Sequence, residues 1–229
     1  MTYFLFAPPR NKSSRRHCCS GARSLSPVRV WMLQEADLAA APLTITSSRE
    51  RVVDTTKPFM VSNIAAIMKS QHATQLGIHS VRDLARQSVM KYGVVDATAT
   101  QEFFRASIDP DFERMWAEIA TQPPIHTMEQ GIRRVLASSD AHPWAFLSDS
   151  ETLRAVSRCD ATLTTVNLEN HLRTLGLALP LGSAYKDKLN IAILHLRESG
   201  YLEILRTRWL QSGHCRRAAA AKRFLFPHQ

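Results

Sequence analysis

No stretch of about 18 consecutive apolar residues occurs in the 229-residue chain, so the sequence offers no membrane-spanning helix. Cysteine is scarce. Cys18 and Cys19 are adjacent and follow His17, but no CxxC partner comes after them, which argues against a zinc site. Cys159 and Cys215 are far apart in sequence, and an oxidising compartment is the condition for joining them. Acidic residues are missing from both ends. Residues 1–30 and 206–229 each carry six Lys/Arg and no Asp or Glu, which leaves 17 Lys/Arg against all 20 acids and a net −3 for residues 31–205. The overall +9 therefore belongs to the tails. Basic tails without aromatic interleaving or a recognition motif rest on charge alone, and no nucleic-acid partner is expected. No GxSxG, HExxH or P-loop pattern frames the Ser, His and Asp residues, so an enzyme is not expected, and no cofactor is implied. The opening MTYFLFAPPR has too short an apolar core for a signal peptide. Residues 1–30 read as a basic, disordered tail, and residues 216–229 as a second basic tail.

What is present is an alternation of short apolar runs and capped helices. A hydrophobic content of 45% suffices for a globular core. Strands are expected at Ala36–Ala41 (closed by a turn at Pro42), Asn63–Met68, Tyr92–Val95, Trp144–Leu147 and Leu175–Leu179. Helices are expected from Ser80-x-x-Asp83 to Gln87 and from Thr98-x-x-Gln101, with Phe103, Phe104 and Ile108 on its apolar side. Others fall over 111–120, 127–138 and Glu151–Ser157. Ser183 begins a long helix burying Leu189, Ile191, Ile193, Leu194 and Leu196, ended by Gly200. A last helix covers Leu202–Leu210. The polar stretch SQHATQLGIH reads as a linker. Strands alternating with helices give an α/β fold with no internal repeat.

The stretch Glu35–Met60 organises the rest. It leads from an Ala-rich run into a helix start where Ser47 and Glu50 have capping-box spacing, beside Arg49. A helix N-terminus next to a guanidinium suits a carboxylate, because outward N–H groups, the dipole and a two-pronged donor converge. A capped surface helix carrying one arginine is the structural alternative.

The run APLTIT, the Arg49 three residues on, VVD and KPFM resemble, in order, the first ligand-binding segment of ionotropic glutamate receptors of the kainate/AMPA type. The second segment is similar at SVRDLARQ, YGVVDATATQEFFR, MWAEIA, EQGIRRVL, GSAYKDKLNIAIL and RWLQSGHC. The resemblance implies a periplasmic-binding-protein-like (type II) α/β fold of two lobes closing on an amino acid. Lobe 2 would be near complete (58–172) and lobe 1 partial (31–57 and 173–215). Where the family carries its pore segments, this chain has only Met68–Ile78.

By the same resemblance, Arg49 and the Thr44 amide would hold the ligand α-carboxylate. The Pro42 carbonyl and Thr44 hydroxyl would accept from its ammonium, and Ala99 and Thr100 would receive a distal carboxylate. Asp149 stands where kainate and AMPA members carry Glu; one methylene shorter, it would reach the ammonium at longer range or through water. The structural alternatives are a turn residue at Thr44, simple caps at Thr98 and Thr100, and a solvated acid at Asp149. Cys159 and Cys215 match the family disulfide, worth about 4 kcal/mol on the chain-entropy estimate; free thiols are the alternative in a reducing compartment. The implied partners are L-glutamate or a related amino acid and other receptor subunits, at the outer face of the plasma membrane. The alternative function is a truncated, non-binding interaction partner or decoy of full-length receptors.

Overall fold

The structure, a computed structural model, describes residues 37–211 and the backbone of Phe4–Phe6. The chain divides into two compact units, one from Met1–Val61 and Arg173–Leu205, the other from Ser62–Leu172 and Arg206–Gln229.

Unit 1 holds β1 (Phe4–Phe6), β2 (Leu38–Thr44), α1 (Ser47–Glu50), β3 (Asp54–Thr55) and the end of β7 (Leu163–Leu179). It also holds α8 (Lys186–Glu198) and most of α9 (Tyr201–Arg206). Its strands lie in the order β1-β2-β7-β3, all antiparallel. Ala39, Leu43, Val53 and Ala178 form its buried apolar cluster.

Unit 2 contains the remainder of β4 (Met60–Lys69), then α2 (Ser70–Gln75), α3 (Val81–Arg86) and β5 (Lys91–Val94). Next come α4 (Ala99–Ala106), α5 (Pro110–Thr121), α6 (Met128–Ala137), β6 (Trp144–Asp149) and α7 (Ser150–Ser157). The strand order is β7-β4-β6-β5, with β4 antiparallel and β5 parallel to β6, so the sheet is mixed. At its centre β4 is buried on both faces, which is why Ile64–Met68 reads as an unbroken apolar run. Ile64, Ala66 and Met68 join Ala145 and Leu147 on one face, under Val81, Leu84, Phe104, Phe112 and Met115. Ala65 and Ile67 join Trp144 and Phe146 on the other, against Val135 and Leu153. The sheet is thus sandwiched by α3, α4 and α5 on one side and α6 and α7 on the other.

Several expectations are corrected. No turn occurs at Pro42. β2 starts two residues later than expected and runs through the proline, which sits where the register with β7 shifts; a bulge tolerates a residue with no N–H to donate. The Ser47–Glu50 capping box does not form: Thr46 is the N-cap, its hydroxyl accepting from Arg49 N, and Glu50 accepts instead from the Thr55 hydroxyl. The supposed linker contains α2, with His72 and Ala73 buried. His72 Nε2 lies 3.0 Å from Asp140 Oδ1 and Ser70 N donates to Thr162 O at 2.8 Å, contacts that polar composition does not reveal. β7 runs 17 residues, of which only the last five were expected. Ile108, placed on the apolar side of α4, lies beyond the helix end and is 91% exposed. In α8 only Ile193 is buried, Ile191 being exposed, and Tyr185 rather than Ser183 occupies the N-cap position. The final α-helix ends at Arg206 and the chain continues as a wider π-helical turn, Thr207–Gln211. Residues 1–30 include β1, where no element was expected, while the 216–229 tail lies outside the described residues. Among the described residues no helix is long and apolar enough to cross a membrane.

Elsewhere the expected chemistry is in place. Ser80 and Asp83 form a complete capping box on α3, and the Thr98 hydroxyl accepts from Gln101 N at the start of α4. Unit 1 carries one ion pair with a pH signature. Lys186 Nζ lies 2.7 Å from Asp54 Oδ1, and Gly182 N donates to Asp54 Oδ2. The Lys186 hydrogen bond, aided by the Gly182 amide, holds the Asp54 carboxyl below its ordinary value and outweighs burial. The same bond raises Lys186 above its ordinary value. The carboxylate therefore adds stability above the unfolded aspartate pKa of about 3.9, and this is lost as pH falls through the lower folded value. Lysine's share is complete below about 10.4 and lost as pH rises through its higher folded value. Asp54→Asn should accordingly lower the chemical-denaturation midpoint by a constant amount across neutral pH. The gap to the unsubstituted chain should close only in acid or strong base; a gap that persists at pH 2 would contradict this assignment.

Candidate functional site

The expected site residues fall into two groups, one in each unit. In unit 1, Pro42 and Thr44 belong to β2, where Thr44 pairs with Leu175 of β7 and is buried. Two residues later the chain turns into α1. The half-buried Arg49 on that helix donates from Nη1 to Thr44 O at 2.8 Å. This bond joins two of the expected residues and fixes the direction of the guanidinium fork.

In unit 2, β5 and β6 are parallel neighbours, with Val94 opposite Leu147. Their carboxyl ends therefore emerge side by side, the place where open α/β sheets bind ligands. After β5 the chain reverses through Ala97, at φ 56°, and enters α4 under the Thr98 cap. Thr98 Oγ1 also donates to Val95 O at 2.7 Å, fastening the turn to the strand. Ala99 and the buried Thr100 occupy the first two positions of α4, whose N–H groups have no intrahelical acceptor. After β6 the chain enters α7, with half-buried Asp149 as its N-cap residue; the Asp149 side chain does not cap the helix. Thr100 thus stands in the first turn of the helix after β5, and Asp149 is the last residue of the adjacent strand β6.

Cys159, two residues past α7, is disulfide-bonded, and Cys215 lies outside the described residues. Among the described residues no three His, Cys, Asp or Glu side chains are grouped to hold a metal ion. The sequence reading missed Ser150, which follows Asp149 and is almost wholly buried. An apolar strand ending in Ser-Asp-Ser was the available signal: a serine closing a buried strand must find a partner there.

Residues 27–72 match the family model described as "Ligated ion channel L-glutamate- and glycine-binding site", a range that includes Pro42, Thr44 and Arg49. The kainate 5 ionotropic glutamate receptors of Mus musculus and Rattus norvegicus are each 33% identical over 157 residues, 67% of this chain. The chain belongs to the ionotropic glutamate receptor family. It carries the kainate-type ligand-binding region, and the family is non-enzymatic and made up of membrane receptors. It spans 16% of the length of those two receptors. A solved structure, the Drosophila muscle GluRIIB complex with glutamate, is similar at a TM-score of 0.72 and 28% identity, covering 80% of this chain and 71% of that one. The α/β fold with a mixed sheet is therefore that of a glutamate-receptor ligand-binding domain.

Proposed function

We propose that this chain binds L-glutamate, or a closely related amino acid, as the ligand-binding segment of a glutamate-gated cation channel. Unit 1 is equated with the family's lobe 1, present in part, and unit 2 with lobe 2, in a periplasmic-binding-protein-like arrangement. Arg49 clamps the α-carboxylate together with the Thr44 amide, and the Pro42 carbonyl and Thr44 hydroxyl accept from the ammonium. The amides of Ala99 and Thr100 receive the distal carboxylate, and Asp149 balances the ammonium charge. The observation that carries this reading is the Arg49–Thr44 bond, which prepares a guanidinium inside the matched segment 27–72. The disulfide of Cys159 is assigned to Cys215, and the ligand-binding region to the extracellular side of the plasma membrane, an oxidising setting. Among the described residues no helix is long and apolar enough to cross a membrane, so ion conduction would fall to other segments.

The second reading is a non-binding partner or decoy of full-length receptor subunits, since a lobe present only in part would fold poorly and bind ligand weakly. Isothermal titration with L-glutamate separates the two. Saturable heat is expected, and its absence from a chain shown to be folded by circular dichroism would transfer the assignment to the decoy.

A further inference from the structure

The chain crosses between its two units three times: at Val61/Ser62 in β4, at Leu172/Arg173 in β7 and at Leu205/Arg206 where α9 ends. Inside unit 2, all three crossings are tied to the first turn of α7. Ser62 Oγ lies 3.4 Å from Ser150 Oγ, and Asn63 N donates to Ser150 Oγ at 3.3 Å. With its nitrogen turned toward β7, the Asn63 amide donates to His171 O at 2.8 Å, two residues before that strand leaves the unit. Arg206 Nη1 pairs with Glu151 Oε1 at 3.3 Å, and Arg158, just past the other end of α7, donates from Nη1 to Leu210 O at 2.7 Å. The only other charged group paired with Glu151 among the described residues is Arg154, one turn along the same helix at 3.9 Å.

These contacts are placed where polar interactions count. Ser62 and Ser150 are buried, so their hydroxyls need partners inside the protein. The Glu151 side chain is 12% exposed, which limits screening of its pair with Arg206. Asp149 immediately precedes this turn, and its backbone is paired with Ile64 on the other side. A shift in any crossing is therefore felt at the residue that presents the Asp149 carboxylate.

We propose that Ser150 and Glu151 are positioning residues that couple the three chain crossings to the Asp149 carboxylate, and so set how strongly the site selects a ligand ammonium. This rests on the reading of Asp149 as the ammonium partner. The turn acts as a junction: β4 and, through Asn63, β7 enter on Ser150, and the C-terminal arm enters on Glu151. Arg49, Ala99 and Thr100 take no part in these contacts, so loosening the arm acts first on the aim of Asp149.

The test compares L-glutamate with glutarate, which keeps both carboxylates and lacks the ammonium, in the unsubstituted full chain and in Glu151→Gln and Arg206→Met. Glutamate affinity should fall about fivefold to tenfold, the lower range for coupled sites, with glutarate affinity nearly constant. An equal fall for both ligands would reduce the turn to a structural fastening and overturn the proposal, as would no fall at all. If the unsubstituted chain takes up neither ligand, the glutamate reading itself fails. Amide exchange over residues 150–157 then decides the junction: it should quicken in both variants, and unchanged exchange would overturn it.

Discussion

Truncating Phe146 to alanine is expected to destabilise unit 2 by about 3–5 kcal/mol, seen as a lower urea midpoint with an unchanged slope. The ring is fully buried in β6, stacked on Trp144 and surrounded by Ala65, Ile67, Val135 and Leu153. A domain of this size is stable by only about 5–15 kcal/mol, so one side chain here controls a large share of the total. The same ring explains Gly131 in α6. A Cβ at that position would stand 2.4 Å from Phe146 Cε2, closer than carbon atoms approach. Gly131→Ala should then cost about 1–3 kcal/mol by overpacking, set against about 1 kcal/mol of improved helix propensity. With Phe146 already reduced to alanine the clash disappears and only the propensity gain remains. Gly131→Ala should consequently stabilise the Phe146→Ala chain while destabilising the parent, a reversal of sign. Effects that simply add would show that α6 does not rest on this ring.

How much of this could be read from the sequence depended on whether the cause was local. Ser80 with Asp83, and Thr98 with Gln101, cap helices through contacts three residues apart, so spacing alone located them. Trp144–Leu147 and Asn63–Met68 were legible because strands buried on both faces leave continuous apolar runs. The failures share a non-local origin. Leu163–Arg173 has Val166 and Leu168 buried on alternate positions, but the intervening polar residues matter only once β7 is known to lie against β4. Pro42 signals a turn until the register shift between β2 and β7 gives it a place in the ladder. His72 looked like a linker residue because Asp140, its partner, is 68 residues away. For the candidate site, the family resemblance supplied the residues, and the structure supplied their settings: Thr44 O as the acceptor for Arg49, and the side-by-side ends of β5 and β6 beneath Thr100 and Asp149.

Arg49→Ala is expected to abolish measurable glutamate heat while leaving the thermal transition almost unmoved. The two halves of that expectation have separate causes. Arg49 lies on a four-residue helix with no buried residue, and its side chain is half-buried, so little of the fold depends on it. A ligand carboxylate gripped by a guanidinium fork depends on it strongly. Removing one partner of a desolvated, hydrogen-bonded charge pair costs about 2–5 kcal/mol, which is about 30-fold to several-thousand-fold in affinity. The Thr44 carbonyl already holds Nη1 at 2.8 Å, so the fork is oriented before a ligand arrives and less ordering entropy opposes binding. Arg49→Lys separates charge from geometry. Lysine keeps the positive charge but is a point donor without the planar fork, and should recover part of the affinity. An affinity order of Arg, then Lys, then Ala, with all three chains equally folded, is the signature of a two-pronged carboxylate clamp. Equal heats for Arg and Ala would place the carboxylate elsewhere, and equal heats for Arg and Lys would reduce the role of Arg49 to long-range attraction.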